Sequence, residues 1–463
     1  MRLEDTIVAI CTPIGQSGIG IVRMSGDKAF KIAKKIFVPS RRKKISWTSS
    51  FKMYYGWIVD PETGKRIDEV LLSLMRAPRT YTRENIVEIN CHGGPVVLRK
   101  TLEICLKQGA RLAEPGEFTK RAFINGRIDL SQAESVLDIV QAKTEKSLQL
   151  AVKGLEGGIS RCISSLREEL INVLVPLEAE IDFCEEDIEI TSKEKKEKSL
   201  NELLQRIDRL LDRAKSFQFY REGVKTVIVG KTNVGKSSLL NALLERERAI
   251  VSHIPGTTRD TIEETINIKG VPVRIVDTAG LKKVKDTLEE EGVKRTHFSI
   301  READLLLVMV DGSSSLNEED EKVFETVKKL KKKFLLIINK IDLPQKIDQE
   351  KLKKSFPNVF PIKISATKPL NLDKLKTEIA NIILNEVSLE DSEDFIMNLR
   401  QKNCLEKAKE CIIRAKEGLK KGLSEEFLAL ELREAIGYLD EITGKRLTEE
   451  VLDRIFSNFC IGK

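Results

Sequence analysis

Histidine, tryptophan and closely spaced cysteine pairs are scarce in this sequence of 463 residues. It contains three histidines and two tryptophans, and none of its eight cysteines forms a Cys-x-x-Cys motif. Because the histidines do not cluster with the cysteines, the sequence argues against a Cys/His metal site. Dispersed cysteines are typical of reduced thiols in the cytosol, so we expect no disulfide framework.

Long hydrophobic runs are also missing. The apolar segments, such as 305–310, have the length of a strand and fall far short of the ~20 residues of a membrane span. The N-terminus lacks a basic region followed by a cleavable apolar stretch, so we expect a cytoplasmic protein without signal peptide or membrane contact. The 79 Lys and Arg exceed the 72 Asp and Glu by only 7, which permits a nucleic-acid surface without requiring one.

The pattern of apolar residues and glycines changes three times along the sequence, which predicts a multidomain protein of mixed α+β and α/β class. Residues 1–120 combine short β-rich runs with glycines and indicate an α+β domain. Residues 121–220 show helical spacing of leucine and isoleucine, and 385–463 resume it. Between them, 221–384 alternates apolar strands with amphipathic helices, as in a doubly wound parallel sheet. We therefore expect one discontinuous helical domain with an inserted α/β domain.

The segment 230–237 fits the phosphate-loop pattern G-x-x-x-x-G-K-S between a β-branched strand and a helix. Its glycines allow backbone N–H groups to surround phosphates, and the following helix adds its positive N-terminal end. Lys236 is placed to reach the β- and γ-phosphates, and the Ser237 hydroxyl to ligate Mg²⁺.

Three further motifs follow in order, each after a predicted strand. Asp277–Gly280 supplies a carboxylate for Mg²⁺ and a backbone N–H for the γ-phosphate. Asp342, in Asn-Lys-Ile-Asp, can accept both N1–H and N2–H₂ of guanine, a donor pair that adenine lacks. Ser365–Thr367 can close over the base. A separate segment, Gly256–Asp260, lies between the phosphate loop and Asp277 and has the position of a switch loop that senses the γ-phosphate. Together the motifs predict a GTP site.

The group that orients the attacking water is not evident from these motifs. Many GTPases place a glutamine just after the Asp-x-x-Gly motif, but Leu281 occupies that position here. Arg259 or a monovalent cation held by Asn233 can supply positive charge, and an acidic residue of 289–291 can orient water. On composition alone, the acidic run 289–291 is more typical of a solvated helix surface.

The sequence resembles the MnmE (TrmE) family of bacterial and organellar tRNA-modification GTPases over nearly its whole length. The GTPase motifs are shared with many GTPases, whereas the N-terminal blocks and the terminal motif are more specific. The resembling segments are DTIVAICTPIGQSGIGIVRMSG (5–26), ENIVEINCHGG (84–94), PGEFTKRAFINGRIDLSQAE (115–134), GKTNVGKSS, IPGTTRD, DTAG, NKID and FCIGK (459–463).

This resemblance implies an N-terminal domain that binds a tetrahydrofolate derivative, in the 5-formyl or methylene form, and makes a constitutive homodimer. It implies a helical domain carrying an inserted Ras-like GTPase domain that requires Mg²⁺ and K⁺. With a flavoprotein of the MnmG (GidA) family, in a heterotetramer or larger complex, such a GTPase adds an aminomethyl-type (carboxymethylaminomethyl) group at C5 of wobble uridine in certain tRNAs.

The resemblance also implies roles for individual residues. Glu289 would orient water, with Lys236 and Thr258 as the other catalytic residues. Ser237 and Thr258 would bind Mg²⁺. The K⁺ ligands would be Asn233, Ser252, Ile254 and Thr257. Arg23, Glu88, Arg127 and Lys463 would bind the folate. The GTP-binding residues would be Asn233, Val234, Gly235, Lys236, Ser237, Ser238, Ser252, His253, Ile254, Pro255, Gly256, Thr257, Thr258, Asp277, Thr278, Ala279, Gly280, Asn339, Lys340, Asp342, Ser365, Ala366 and Thr367.

Three functions remain open at this point. The first is a K⁺-activated GTPase in tRNA modification, which we favour. The second is an RNA-binding or ribosome-assembly GTPase switch, which explains the GTPase motifs but not the N-terminal blocks or the terminal CIGK. The third is a folate-binding scaffold with a degenerate GTPase domain, against which the intact Lys236, Ser237, Thr258 and Asp277 argue. Cys460 is either a packed thiol, as we expect, or a nucleophile.

Overall fold

The computed structural model of the chain describes residues 5–40, 45–182, 192–245, 263–277, 299–384 and 395–463. The chain divides into two compact units. Unit 1 comprises Met1–Leu137, Ile159–Lys193 and Glu410–Lys463, and unit 2 comprises Asp138–Gly158 and Glu194–Lys409.

Unit 1 contains a seven-stranded sheet in the order β3-β4-β5-β6-β2-β1-β7. Neighbouring strands are antiparallel, except that β1 and β7 are parallel. The strands are β1 (Ile7–Ile10), β2 (Ser17–Ser25), β3 (Phe37–Pro39), β4 (Lys52–Val59), β5 (Arg66–Met75), β6 (Ile86–Gly93) and β7 (Arg111–Leu112).

Side-chain alternation gives this sheet one apolar and one mixed face. Val22 and Met24 of β2 and Val87 and Ile89 of β6 are buried in one cluster with helices α1 (Ala29–Ile36) and α2 (Pro95–Lys107). The residues between them point to the opposite face, where Arg23 lies directly across from Glu88 in the strand register. The alternation of β2 and β6 thus brings two predicted folate residues together.

The end of the chain packs against a short helix of unit 1. Helix α3 (Glu117–Ile124) contacts the last helix, α14 (Glu449–Phe456). Phe456 and Phe459 are buried with Ala122 and neighbouring apolar residues. This packing holds the terminal segment 459–463 in unit 1.

Unit 2 contains a six-stranded sheet in the order β13-β12-β11-β8-β10-β9, parallel except for the antiparallel pair β9 and β10. Buried residues of β11 alternate between two apolar clusters, one on each face of the sheet. The predicted doubly wound sheet is therefore confirmed. Its strands are β8 (Val224–Val229), β9 (Glu263–Ile268), β10 (Val271–Asp277), β11 (Leu305–Asp311), β12 (Phe334–Asn339) and β13 (Ile362–Lys363).

Helices of unit 2 pack on both faces of this sheet, and other helices belong to unit 1. The remaining bounds are α4 (Leu130–Gln141), α5 (Glu145–Leu155), α6 (Gly158–Asp182), α7 (Lys193–Glu222), α8 (Lys236–Glu245), α9 (Glu318–Leu330), α10 (Gln349–Ser355), α11 (Leu372–Leu384), α12 (Leu399–Lys421) and α13 (Glu425–Thr443). In the described part of the chain, no helix combines the length and apolarity that a membrane span needs. The seven cysteines within these ranges are free thiols.

Candidate functional site

The GTPase motifs meet at one edge of the sheet of unit 2. Strands β8, β10, β11 and β12 run parallel, so their carboxyl ends lie at the same edge, which is where ligands of doubly wound sheets bind. The phosphate loop 230–237 follows β8, Asp277 ends β10, Asn339 ends β12, and Ser365–Thr367 follow β13 shortly after its end.

The phosphate loop adopts backbone angles that its sequence makes accessible. Asn233 and Gly235 have φ angles of 60° and 102°, in the left-handed region that glycine and asparagine tolerate best. The Lys236 Nζ atom donates to the carbonyl oxygens of Gly230 and Lys231, both at 2.8 Å. Helix α8 begins at Lys236, so Ser237 and Ser238 lie in its first turn.

Asn339 joins two of the motifs. Its side chain is buried, with its residue 2% exposed. Nδ2 donates to the Val234 carbonyl at 2.8 Å, and Oδ1 accepts from the Ala366 N–H at 3.0 Å. One amide side chain thus connects the phosphate loop to the segment predicted to close over the base.

Asp342, the predicted base-recognition residue, is held by the same segment. Its Oδ1 accepts a hydrogen bond from the Ser365 hydroxyl at 2.7 Å. This hydrogen bond is the main cause that lowers the pKa of Asp342, with smaller contributions from Lys368 and Lys340. The carboxylate is therefore ionised, in the acceptor-only form that a guanine edge requires.

Two lysines of these motifs make ion pairs that the sequence patterns do not reveal. Lys231 Nζ lies 2.7 Å from Oδ2 of Asp320, which is 1% exposed and belongs to the capping box of α9. Lys340 Nζ lies 2.6 Å from Asp311 Oδ2. Burial raises the pKa of Asp311, but the Lys340 and Ser313 hydrogen bonds outweigh it and hold that pKa below its ordinary value. The Asn-x-x-Asp capping pattern 317–320 was the available signal for Asp320.

Several predicted residues lie outside the part of the chain that is described. They are Ser252, His253, Ile254, Pro255, Gly256, Thr257, Thr258, Thr278, Ala279, Gly280 and Glu289, together with the alternatives Arg259 and 289–291. Asp277 ends β10, but its side chain is also outside the description. Their roles stay predictions.

A second group of predicted residues meets in unit 1. Arg23 Nη2 lies 2.7 Å from Glu88 Oε1, and Arg23 Nη1 donates to the Gly462 carbonyl at 3.4 Å. The guanidinium carbon of Arg23 lies 5.6 Å from the centre of the Phe118 ring. The backbone N–H of Phe118 donates to the Lys463 carbonyl at 3.1 Å. The structure therefore joins Arg23, Glu88 and the terminal motif.

Arg127 lies near this group but does not contact it directly. Its guanidinium carbon is 4.6 Å from the centre of the Tyr81 ring, and Tyr81 Oη is 2.9 Å from Thr119 Oγ1. Cys460 is exposed, so the expectation of a packed thiol was wrong.

A buried charge network supports α3 beneath this group, and we did not predict it. Arg121, 1% exposed, pairs with Glu117, Asp5 and Glu84 at 2.9, 2.6 and 3.2 Å. Burial raises the pKa of Glu117, but hydrogen bonds from Arg111, the Glu114 N–H and Arg121 outweigh it and lower that pKa. The glutamate therefore stays ionised and can hold both arginines against α3.

A cluster with metal-ligating side chains lies elsewhere in unit 1. Ligand atoms of Cys411, Glu431 and Glu434 lie within 4.8 Å of one another. Arg414 donates to Cys411 Sγ at 3.1 Å and to Glu431 at 2.8 Å. Because the Arg414 guanidinium already pairs with both carboxylates, the cluster provides no support for a metal centre.

Together, the doubly wound sheet, its phosphate loop and the motifs predicted to recognise guanine define a P-loop GTPase. Comparisons with known proteins extend this class. The model of the MnmE helical domain matches residues 130–460, and that of the GTP-binding protein TrmE N-terminus matches residues 6–127. The chain belongs to the MnmE family, so the family resemblance is confirmed.

Curated relatives match along their full length. The tRNA modification GTPase MnmE of Carboxydothermus hydrogenoformans is 48% identical and that of Desulforamulus reducens 46%, each with 100% of both chains covered. The protein of the same name from Thermoanaerobacter pseudethanolicus is 47% identical over 99% of each chain. Among solved structures, Aquifex aeolicus Era bound to GDP and AlF₄⁻ is 30% identical over 41% of this chain and 66% of that chain, with a TM-score of 0.28.

Proposed function

We propose that the chain is a GTPase that acts in the modification of wobble uridine in tRNA. The observation that carries this proposal is the bridge from Asn339 to Val234 and Ala366, which connects phosphate and base recognition within a chain whose full-length relatives are named tRNA modification GTPases. In the cell, we expect it to act in the cytoplasm.

Different residues of unit 2 would bind the phosphates and the base of the nucleotide. The phosphate-loop N–H groups surround the phosphates, and Lys236 exchanges its two loop carbonyls for phosphate oxygens. Asp342, held by Ser365, accepts from the guanine edge. Because adenine lacks the N1–H and N2–H₂ donors and would leave this carboxylate unpaired, the arrangement discriminates against adenine.

The oxygen donors of this site suit hard cations. The Ser237 hydroxyl and the Asn233 amide are both oxygen ligands of the kind that Mg²⁺ and K⁺ accept, and both lie in or next to the phosphate loop. Thr258 would be a further Mg²⁺ ligand. The further K⁺ ligands would be Ser252, Ile254 and Thr257. When bound, the cations neutralise charge that develops on the phosphates. Glu289 would orient the attacking water.

Unit 1 would provide the one-carbon site. Glu88 can accept from the donor edge of a pterin, and Arg23, Arg127 and Lys463 can bind carboxylates of a glutamate tail. The Arg23–Glu88 pair and the terminal carbonyls bonded to Arg23 and Phe118 give this site a fixed polar wall. The residues thus fit a tetrahydrofolate derivative, in the 5-formyl or methylene form.

The proposed organisation follows from these assignments. Residues 1–120 would bind folate and dimerise, 121–220 and 385–463 would form the helical domain, and 221–384 the GTPase domain. The partners would be a second copy, a flavoprotein of the MnmG family, and tRNA. The flavoprotein and the folate would supply the redox and one-carbon chemistry, whereas the chain supplies binding and GTP-driven movement.

The decisive experiment deletes the gene, digests bulk tRNA, and measures wobble nucleosides by mass spectrometry with and without a plasmid copy. We expect C5 aminomethyl-type groups to vanish and the plasmid to restore them. Plasmids encoding Glu289→Ala or Lys463→Ala separate the GTPase role from the folate role, since only the first should lower GTP hydrolysis in K⁺. An unchanged nucleoside profile would contradict the proposal and favour an RNA-binding GTPase switch.

A further inference from the structure

Three exposed arginines form what we call the arginine patch: Arg79, Arg83 and Arg127. Arg79 and Arg83 belong to the loop between β5 and β6, and Arg127 to the turn that follows α3. The two loops are bonded to each other. Asn125 Nδ2 donates to the Thr82 carbonyl at 2.7 Å, and Arg83 Nη1 donates to the Asn125 carbonyl at 2.8 Å.

The patch is built on ordered loops. Thr80 Oγ1 donates to the Glu84 carbonyl at 2.6 Å, which closes the turn that carries Arg83, and Arg79 directly precedes this turn. Arg127 is fixed above the Tyr81 ring. Binding a ligand here therefore costs less ordering than binding to a flexible tail.

The positive charge of the patch is not neutralised within the described part of the chain. None of its three guanidinium groups pairs with a carboxylate of a described residue, whereas the nearby Arg121 pairs with three. The neighbouring carboxylate of Glu84 is already bonded to Arg121 and Ser25. The patch thus presents unpaired guanidinium groups to solution, which attract anions.

The position of the arginine patch indicates which anion it would bind. Tyr81, beneath Arg127, is bonded to Thr119, and the adjacent Phe118 lies beside Arg23 at the proposed one-carbon site. A uridine that reaches that site brings its flanking phosphates toward the patch. Arginine binds phosphate oxygens through paired N–H groups, and phosphate contacts of this kind position a nucleic acid.

We propose that the arginine patch binds backbone phosphates of the tRNA anticodon loop and positions the wobble uridine beside Arg23 and Glu88. This inference rests on the proposed function, because it takes the tRNA and the one-carbon site from it. Arg79 and Arg83 provide the new contacts, since the family resemblance already implies Arg127 in folate binding.

The test measures binding of the full-length protein to a synthetic anticodon stem-loop RNA by fluorescence anisotropy over a series of KCl concentrations. Arg79→Gln should lower the salt dependence of log K by about 1, and Arg79→Gln with Arg83→Gln by about 2. At low salt we expect the double variant to bind about tenfold more weakly. Arg79→Lys keeps the charge and should retain most of the salt dependence.

The matched control removes two exposed charges from α1, by Lys31→Gln with Lys35→Gln. This helix packs on the sheet face opposite to Arg23, so RNA binding should change less than twofold. If the control weakens RNA binding as much as the patch variant, only overall charge matters and the proposal fails. If the patch variant binds RNA normally but loses affinity for a triglutamate folate, the patch is a folate-tail site and the proposal is wrong.

Two further readouts separate this proposal from the proposed function. GTP hydrolysis and monoglutamate folate binding should be unchanged in Arg79→Gln, since Arg79 is an exposed residue of the loop between β5 and β6 and belongs to neither predicted set of binding residues. Loss of RNA affinity in a protein that retains both activities supports the patch. If instead the wild-type protein binds no anticodon RNA, both the patch proposal and its tRNA premise fail.

Discussion

Asn339 connects Val234 and Ala366 through its buried side-chain amide. We therefore expect GDP affinity to depend strongly on this amide. Asn339→Asp keeps the size of the side chain and an oxygen for the Ala366 N–H, but it replaces the donor to Val234 with an oxygen. A buried carbonyl that loses its donor costs about 1–3 kcal/mol. Since ~1.4 kcal/mol is a factor of ten, GDP affinity should fall by about fivefold to about 140-fold if the loop geometry depends on this bond.

Two measurements divide this loss between the two ends of the bridge. Titration with a fluorescent GDP analogue reports affinity, and hydrogen exchange of the Ala366 amide reports the other hydrogen bond. Asn339→Asp should lower affinity while the Ala366 amide stays protected. Asn339→Ala should lower both, because it removes both hydrogen bonds.

The matched control is Asn267→Ala. In the wild type, the Asn267 side chain accepts a hydrogen bond from the Gly270 N–H in the β9–β10 turn. The substitution removes one amide side-chain hydrogen bond in the same unit, away from the strand ends where we propose that nucleotide binds. We expect about 1 kcal/mol of destabilisation and unchanged GDP affinity. If Asn339→Asp binds GDP within twofold of the wild type, the bridge does not set the loop geometry and the argument is refuted.

The remaining predictions concern glycine, base choice and pH. Gly235→Ala should abolish measurable GDP binding in the same titration, because φ is +102° and the added Cβ would overlap Asn339 Nδ2. Asp342→Asn should weaken GTP and favour the xanthine nucleotide, which competition titrations measure, because the amide adds a donor where guanine presents donors. His92→Ala should lower the melting temperature at about pH 5.5 but not at about pH 9. Thermal unfolding followed at a series of pH values measures this difference. Asp68 raises the pKa of His92 through a hydrogen bond first and its charge second, so the ion pair stabilises below the ordinary His pKa of about 6.5 and is lost as pH rises through the raised value.

Local motifs were predictable from the sequence because their requirements are local. The phosphate loop needs a strand, residues that tolerate positive φ, and a helix start, and all three lie within 224–245. The alternation of apolar residues likewise predicted a parallel sheet with two covered faces, since each face of β11 packs into its own cluster. Strand ends then placed the motifs along one edge.

Partners that lie far apart along the chain were not predictable in this way. Lys231 pairs with Asp320, 89 residues away, and Asn339 bonds to Val234 across 105 residues. A hydrophobic period reports which face of an element is buried, but it carries no information about which residue is met there. The family resemblance named Arg23, Glu88, Arg127 and Lys463 together, yet only the fold shows that Arg127 stands apart on Tyr81.

The terminal segment 459–463 is held partly by hydrogen bonds to its backbone. The N–H groups of Gly116 and Phe118 donate to the carbonyls of Cys460 and Lys463, and Arg23 Nη1 donates to that of Gly462. Gly462 itself has φ of +94°, and a Cβ there would lie 2.8 Å from Cys11 Cα, so this position requires glycine. Because backbone contacts hold the segment, its reactive side chains are not needed for docking. Cys460 and Lys463 remain exposed, which leaves both available to a ligand beside Arg23.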